Sequence, residues 1–188
     1  MRNVLVTGGA GFIGSYICKL FYENGFIPVT FDNLLLGNRW AVKWGPLEIG
    51  DLCNKKDLHN LFNKYSFDGV VHLAGFSNVS ESVKNPYLYY NNNVIGSFNL
   101  LEKMIEFNVK RIVFSSTAAV YGNPIASLID ESHPTHPINP YGDSKLSVER
   151  LIYNYSQSYG INFISLRYFT YSIFSSFYFD SGLKMKKL

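Results

Sequence analysis

Four glycines stand between the first predicted strand and the first predicted helix, in the segment 7–14 (TGGAGFIG). In a strand-to-helix turn of this kind, Gly8 permits the tight turn, Gly11 lets the backbone approach a pyrophosphate, and Gly14 lets the helix pack closely on the strand. The N–H groups at the start of the helix also favour a phosphate there. Glycine occurs in such turns for their shape alone as well, so the segment has to be read with its surroundings.

Short β-branched runs alternate with helical patterns along the chain, which is typical of βαβ units. The predicted strands cover residues 3–7, 27–31, 47–49, 69–73, 111–115 and 162–166. Several are apolar throughout, as expected for strands that helices cover on both sides. One helix is predicted around Val94, Phe98, Leu101 and Ile105, and another runs from the Asn139-Pro140 start signal to residue 160. The sequence therefore predicts an α/β fold, a Rossmann-type doubly wound parallel sheet with helices on both faces.

Asp32 ends the second predicted strand, close to the ~20 residues after the glycines at which a carboxylate holds the adenosine ribose. A carboxylate at this point repels a 2′-phosphate, so the predicted cofactor is NAD rather than NADP. No lysine precedes Ser15, which argues against a nucleoside-triphosphate P-loop. Residues 1–169 are predicted to form an NAD-binding Rossmann domain, and residues 170–188 a tail without recognisable domain character.

Tyr141 and Lys145 lie four residues apart at the start of the last long predicted helix, so they share one face of it. A nearby cation and a helix N-terminus both favour phenolate, which would lower the tyrosine pKa from about 10 towards neutrality. A tyrosine of this kind can serve as general base for an alcohol or sugar hydroxyl. Thr117 follows the fifth predicted strand, at the carboxyl edge where doubly wound sheets bind ligands. These three residues are the candidate catalytic groups, although a Tyr-x-x-x-Lys spacing by itself is common on solvated helices.

Composition excludes several other classes of protein. The 188-residue chain is 47% hydrophobic and 16% charged, which excludes a disordered chain. Its net charge of +3 equals the charge of the three lysines at 184, 186 and 187, so no nucleic-acid-binding surface is expected. The longest uncharged apolar stretch is too short to span a membrane, and two distant cysteines fit a reduced, cytoplasmic protein. The pair His133 and His136 lacks acidic or thiol partners, so no metal site is predicted.

Taken together, these motifs resemble the extended short-chain dehydrogenase/reductases, and most closely the UDP-glucose 4-epimerases. The resemblance spans residues 1–169 and is carried by TGGAGFIG (7–14), DNL (32–34), GDL (50–52), HLAG (72–75), ESV (81–83), YYNNNV (89–94), FSST (114–117), VYG (120–122), YGDSK (141–145) and LRYF (166–169). It implies a doubly wound fold that retains NAD and acts on a UDP-hexose. It also implies a possible homodimer, formed through the helices that contain Val94–Ile105 and 140–160.

The resemblance assigns the cofactor contacts to the glycine loop and to the carboxyl ends of the strands: Gly8, Gly11, Phe12, Ile13, Gly14, Asp32, Asn33, Asp51, Leu52, Leu73, Ala74, Gly75, Asn92, Tyr141, Lys145 and Phe169. By the same resemblance, Thr117 hydrogen-bonds the reacting hydroxyl and Tyr141 is the base. Lys145 holds the nicotinamide ribose. The implied reaction oxidises the sugar at C4 and returns the hydride to its other face.

The chain departs from this family in ways that leave other functions open. Ser77 stands where epimerases commonly have a lysine, and Thr170 stands in place of an asparagine. The family continues into a region that grips UDP, so we expect this chain to lack the substrate-binding C-terminal region. One alternative is therefore a non-catalytic NAD-binding remnant. Another is a different extended short-chain dehydrogenase/reductase, such as a nucleotide-sugar dehydratase. Ala118 and Ala119 disfavour the dehydratase, because dehydratases typically have Asp-Glu after the strand-five threonine.

Overall fold

The structure, a computed structural model, describes residues 2–169. Its strands are β1 (Arg2–Thr7), β2 (Phe26–Asp32), β3 (Leu47–Ile49), β4 (Phe67–His72), β5 (Arg111–Thr117) and β6 (Asn162–Tyr168). They form one sheet in the order β3-β2-β1-β4-β5-β6, and every neighbouring pair is parallel. The predicted doubly wound parallel sheet is thus confirmed. The predicted tail at 170–188 lies outside the described residues.

The α-helices are α1 (Phe12–Glu23), α2 (Lys55–Lys64), α3 (Val79–Lys84), α4 (Pro86–Tyr89), α5 (Gly96–Glu106) and α6 (Pro140–Tyr159). Single 3₁₀ turns cover Arg39–Ala41 and Ala118–Tyr121. The start and end of α6 follow its sequence: the Asn139 side chain accepts a hydrogen bond from the Gly142 N–H, and Gly160 ends the helix with φ +68°. None of the helices within residues 2–169 has both the length and the apolar character needed to cross a membrane.

Helices cover both faces of the sheet, but unequally. The larger core joins α2, α5 and α6 to one face, where Leu58, Leu100 and Ile152 pack against Leu5 and Val70 of the central strands. Successive residues of a strand point to opposite faces, so Val4 and Val6 lie on the other side. There they pack against Cys18 of α1. Three helices therefore cover one face, and α1 covers the β1–β2 side of the other.

The predicted helix around Val94 begins differently from what its apolar pattern indicated. Between α4 and α5 lies a π-helical segment, Tyr90–Ile95, in which the backbone has a wider turn. This turn places Asn92 at the cleft described below and buries the neighbouring Asn93. The α-helical period applies only from residue 96 onward, because the wider turn shifts the preceding side chains out of that register.

Candidate active site

The glycine loop between β1 and α1 forms one wall of a cleft at the carboxyl edge of the sheet. Gly8 has φ +71°, a conformation that side chains other than glycine rarely adopt, and its N–H donates to the Phe31 carbonyl at 2.9 Å. A Cβ on Gly14 would lie 2.2 Å from the Gly8 carbonyl oxygen, so only glycine lets α1 approach the loop this closely. A Cβ on Gly11 would meet only that same oxygen, at 3.2 Å. The predicted roles of Gly8 and Gly14 in the turn and in packing are confirmed.

Asp32 is buried at the end of β2, where two backbone groups hold its carboxylate. Its Oδ1 accepts from the Leu34 N–H at 2.8 Å, and its Oδ2 accepts from the Ala10 N–H in the glycine loop at 3.1 Å. A carboxylate has about four acceptor positions, so these bonds leave capacity on the side that lines the cleft. The side chain is therefore fixed in direction and still able to accept hydrogen bonds from a ligand.

Asn33 and Asp51 meet at the ends of β2 and β3. The Asn33 amide donates to Asp51 Oδ2 at 3.1 Å, while Asp51 Oδ1 accepts from the Cys53 N–H at 2.7 Å. Both residues line the cleft next to Leu52. The cleft is thus polar at Asn33 and Asp51 and apolar at Leu52.

Two residues of α5 hold Leu52 in place, and the sequence did not indicate either of them. The Asn99 side chain is buried and donates to the Leu52 carbonyl at 3.0 Å. A Cβ on Gly96 would lie 3.0 Å from the Leu52 Cβ, so a glycine there allows the loop to approach the helix. The sequence signal that could have identified Asn99 is that it is a polar residue next to the apolar stripe of α5.

Most of the predicted cofactor residues line this one cleft: Gly8, Gly11, Phe12, Asp32, Asn33, Asp51, Leu52, Leu73, Ala74, Gly75 and Asn92. Residues without a predicted role also line it: Phe31, Leu35, Leu36, Gly37, Gly50 and Phe76. Ile13 and Gly14 lie in the first turn of α1 behind the loop. Phe169 does not line this cleft. Its ring stacks on the Tyr121 ring, with the two ring centres 6.0 Å apart, and it lines a second cleft along β6.

Tyr141, near the start of α6, is half-buried, and its phenol lies next to the Thr117 side chain. Because the Thr117 Oγ1 accepts from the Ala119 N–H at 3.2 Å, its own proton is available to donate to the phenol oxygen. Burial raises the pKa of Tyr141 above 10.0, and the Thr117 bond lowers it in part. The predicted lowering by Lys145 is therefore wrong for this structure, since burial dominates the pKa.

Lys145 is buried one turn further along α6, and its ammonium group points to β5. Its Nζ donates to the Ser115 carbonyl at 3.0 Å and lies 5.0 Å from the centre of the Phe114 ring. A Cβ on Gly75 would lie 3.1 Å from the same Nζ, so Lys145 reaches the wall of the cleft. Burial lowers the pKa of Lys145 from 10.5 to about 8. The lysine is therefore a cation at neutral pH that can lose its proton in mild base.

His72 links β1, β4 and α5 below the cleft, as expected for a core histidine. The single proton of the Ser97 hydroxyl goes to the Asn93 carbonyl at 2.5 Å, so Nε2 of His72 must donate to Ser97 at 2.8 Å. Nδ1 then accepts from the Thr7 hydroxyl at 2.7 Å. Burial and, to a smaller extent, the charge of Lys145 lower the pKa of His72 to about 3. This neutral imidazole holds the floor of the cleft.

Asn93 connects the loop after β4 with α6, a function that the sequence did not reveal. Its Oδ1 accepts from the Phe76 N–H at 2.8 Å, and its Nδ2 donates to the Phe76 carbonyl and to Ser144 Oγ, both at 3.1 Å. Ser144 in turn donates to the Tyr141 carbonyl at 2.7 Å. The π-helical turn buries Asn93, and so fixes Gly75 and Phe76 relative to Tyr141.

His133, considered above as half of a metal pair, uses both ring nitrogens inside its own loop. Nε2 accepts from the Ile125 N–H at 3.2 Å, and Nδ1 donates to the Pro134 carbonyl at 2.9 Å. Within residues 2–169, no group of three or more His, Cys, Asp or Glu side chains is placed to hold a metal ion.

The strand order, the glycine loop at β1 and the acidic residue at the end of β2 together define a Rossmann-type dinucleotide-binding protein. Comparison with known proteins narrows the class. The family model described as GDP-mannose 4,6 dehydratase matches residues 5–176, and the chain belongs to that family.

Its relatives include UDP-glucose 4-epimerases, which confirms the resemblance seen in the sequence. The enzyme of that name from Halalkalibacterium halodurans is 46% identical over 88% of this chain and 50% of its own length. The crystal structure of the Brucella ovis UDP-glucose 4-epimerase in complex with NAD has a TM-score of 0.88 and 42% identity, over 90% of this chain and 52% of that one. The Thermotoga maritima UDP-glucose 4-epimerase with UDP-glucose has a TM-score of 0.85 and 35% identity, over 88% of this chain and 55% of that one. The chain spans about half the length of the relatives that it matches.

Proposed function

We propose that this chain binds NAD in the cleft and forms the cofactor half of a UDP-hexose 4-epimerase. The observation that carries the proposal is that Tyr141, next to Thr117, shares one face of α6 with Lys145, whose ammonium reaches the Gly75 wall of the cleft. The relatives support the choice of ligands, because solved UDP-glucose 4-epimerases contain NAD or UDP-glucose. The proposed active form is the cytoplasmic protein, with α5 and α6 as the surface for a homodimer.

The residues of the cleft fit a dinucleotide. The glycine loop presents backbone at the start of α1, and a side chain on Gly11 would project into the space where a pyrophosphate meets the helix N-terminus. Asp32, held by two backbone N–H groups, is oriented to accept hydrogen bonds from ribose hydroxyls. When bound, NAD supplies a reversible hydride acceptor for the C4 carbon of the sugar.

The residues next to the Gly75 wall of the cleft can move a proton. In its phenolate form, Tyr141 would take the proton of the sugar 4-hydroxyl, and it would return that proton to the same oxygen when the hydride comes back. Thr117 stabilises the phenolate by donating to it, which is the contribution that already lowers the pKa of Tyr141. Lys145 keeps a positive charge beside Gly75 at neutral pH. Base and cation are thus held on successive turns of one helix.

The geometry disfavours the dehydratase alternative, even though the family model has that description. Eliminating water from a hexose requires an acid and a base near the leaving hydroxyl. The turn after Thr117 presents Ala118 and Ala119, which have no ionisable group. The NAD-binding remnant is the second candidate function, and the observation that favours it is that the chain matches only about half of its relatives' length.

Calorimetric titration with NAD, and then with UDP-glucose on the NAD-loaded chain, tests the proposal. Binding of both, followed by conversion of UDP-galactose to UDP-glucose, is the expected result. Tyr141→Phe is expected to reduce conversion at least ~100-fold through loss of the base, with NAD affinity nearly unchanged. Tyr153→Phe, in an exposed residue of the same helix, is the matched control. Binding of NAD without UDP-glucose would support the remnant, and binding of neither would refute both functions.

Asp32→Asn is expected to lower the affinity for NAD by about 10-fold, because one charged hydrogen bond to the ribose is lost. The preference for NAD over NADP should fall as well, since the repelling charge is removed. Parallel calorimetric titrations with the two cofactors measure both effects. Asp68→Asn, in an exposed acid that pairs with Arg2 at 3.9 Å, should change neither affinity. An unchanged preference in Asp32→Asn would contradict the assigned role of this carboxylate.

A further inference from the structure

Three residues of α6 at a spacing of four meet three consecutive residues of β5. The Tyr141 phenol lies next to the Thr117 side chain, and Lys145 donates to the Ser115 carbonyl. Glu149, the third, accepts a hydrogen bond from the Ser116 hydroxyl. Residues four apart lie on one face of a helix, so one face of α6 carries all three contacts. The position of the Tyr141 side chain relative to Thr117 therefore depends on the register of α6 relative to β5.

Glu149 is the most firmly held of the three. It is 9% exposed, and Arg167 of β6 binds its carboxylate in a bidentate manner, with Nε to Oε1 at 2.9 Å and Nη2 to Oε2 at 2.6 Å. Arg167 lies directly opposite Ser116 in the β5–β6 register. One carboxylate of α6 is thus bonded to both neighbouring strands. A shift of the helix would break a buried bidentate pair, which is much costlier than sliding apolar side chains.

Arg167 extends the same cluster to the far side of Thr117. Its Nη1 donates to the Tyr121 hydroxyl at 3.0 Å, and its guanidinium lies 4.9 Å from the centre of the Tyr121 ring. Tyr121 is the last residue of the 3₁₀ turn Ala118–Tyr121, which directly follows Thr117. The backbone is therefore held immediately before Thr117, at Ser116, and four residues after it.

We propose that Glu149, acting through Arg167 and Ser116, is a positioning residue that fixes where Tyr141 meets Thr117. The inference rests on the proposed function in so far as that contact serves catalysis. Buried ion pairs often add little to stability, and setting the register between elements is the best-supported reason for keeping them. Glu149 touches neither the cofactor cleft nor Tyr141 in this arrangement.

The paired variant Glu149→Met/Arg167→Met separates positioning from stability, because apolar residues of similar length commonly replace a buried ion pair without loss of stability. The readout is the pKa of Tyr141, measured by ¹⁹F NMR of the full chain containing 3-fluorotyrosine and assigned by the signal missing in Tyr141→Phe. We expect the paired variant to raise this pKa by about one pH unit, and we expect the same rise from Thr117→Val, which removes the Thr117 hydroxyl itself. Combining the two changes should give no further rise.

Glu48→Met/Lys64→Met is the matched control, since it removes an ion pair of 2.7 Å that joins a helix to a strand far from Tyr141. It should leave the pKa of Tyr141 unchanged. If the Met pair prevents folding, Ser116→Ala takes its place, because it keeps the ion pair and removes only its bond to β5. A folded variant with an unchanged Tyr141 pKa would overturn the inference. The titration needs neither NAD nor sugar, so a chain without epimerase activity would refute the proposed function and leave this result standing.

Discussion

Gly14→Ala is expected to lower the free energy of unfolding by about 3 kcal/mol and to abolish measurable NAD binding. The added Cβ would lie 2.2 Å from the Gly8 carbonyl oxygen and 2.6 Å from the Gly9 Cα. Both are backbone atoms of the glycine loop, so no side-chain rotation can relieve the overlap. Either α1 moves away from the loop or the loop leaves its conformation, and both disrupt the wall of the cleft. Urea unfolding and calorimetric titration with NAD measure the two effects.

Gly11→Ala, three residues earlier, is the matched control for the cost of adding a methyl group. Gly11 has φ −81°, which alanine adopts without strain, and its Cβ would meet only the Gly8 oxygen, at 3.2 Å. We expect stability within about 1 kcal/mol of the unchanged chain, but at least ~10-fold weaker NAD binding, because the methyl group occupies the pyrophosphate side of the loop. Equal losses of stability in the two variants would contradict the close packing of α1 against the glycine loop at Gly14.

The fold could be predicted from residues whose structural role depends only on their near neighbours in the sequence. The glycines of 7–14 and the apolar runs of the strands each reflect a constraint within a few neighbouring residues. The position of Asp32 at the end of β2 could be predicted because its distance from the loop in sequence follows from one βαβ unit. For the same reason α6 was predicted to within a residue, since Asn139, Pro140 and Gly160 mark its ends directly.

What the sequence could not reveal depends on partners that are far apart along the chain. Asn93 bonds to Ser144, 51 residues away, and Asn99 bonds to Leu52, 47 residues away, so neither role is visible in a local pattern. The π-helical turn that buries Asn93 breaks the very period used to predict helices. The prediction of a lowered pKa for Tyr141 was wrong for a related reason. Spacing places Lys145 on the same helix face, but only tertiary structure determines how deeply the phenol is buried.

Because Lys145 is buried, its positive charge lowers the stability of the folded chain. The fall of its pKa from 10.5 to about 8 corresponds to a penalty of about 3 kcal/mol for keeping the ammonium charged. The penalty is complete below pH 8, where both the folded and the unfolded chain hold the proton. Between pH 8 and 10.5 the folded chain loses its proton first, so stability rises with pH across this window. Above pH 10.5 the lysine is neutral in both the folded and the unfolded chain, so the penalty is absent.

Lys145→Met is therefore expected to stabilise the chain by about 2 kcal/mol at pH 7, after allowing about 1 kcal/mol for the lost bond to the Ser115 carbonyl. The gain should shrink from pH 8 upwards, while NAD binding is lost or greatly weakened if this cation contacts the cofactor as proposed. Lys110→Met is the matched control, because its ammonium also donates to a backbone carbonyl, that of Tyr159 at 3.1 Å, but at a less buried position. Urea unfolding of both variants at pH 7 and pH 10 gives the comparison. A destabilised Lys145→Met at pH 7 would mean that the charge is well compensated in the fold, whereas a stabilised variant that no longer binds NAD would show that the chain keeps Lys145 for its function.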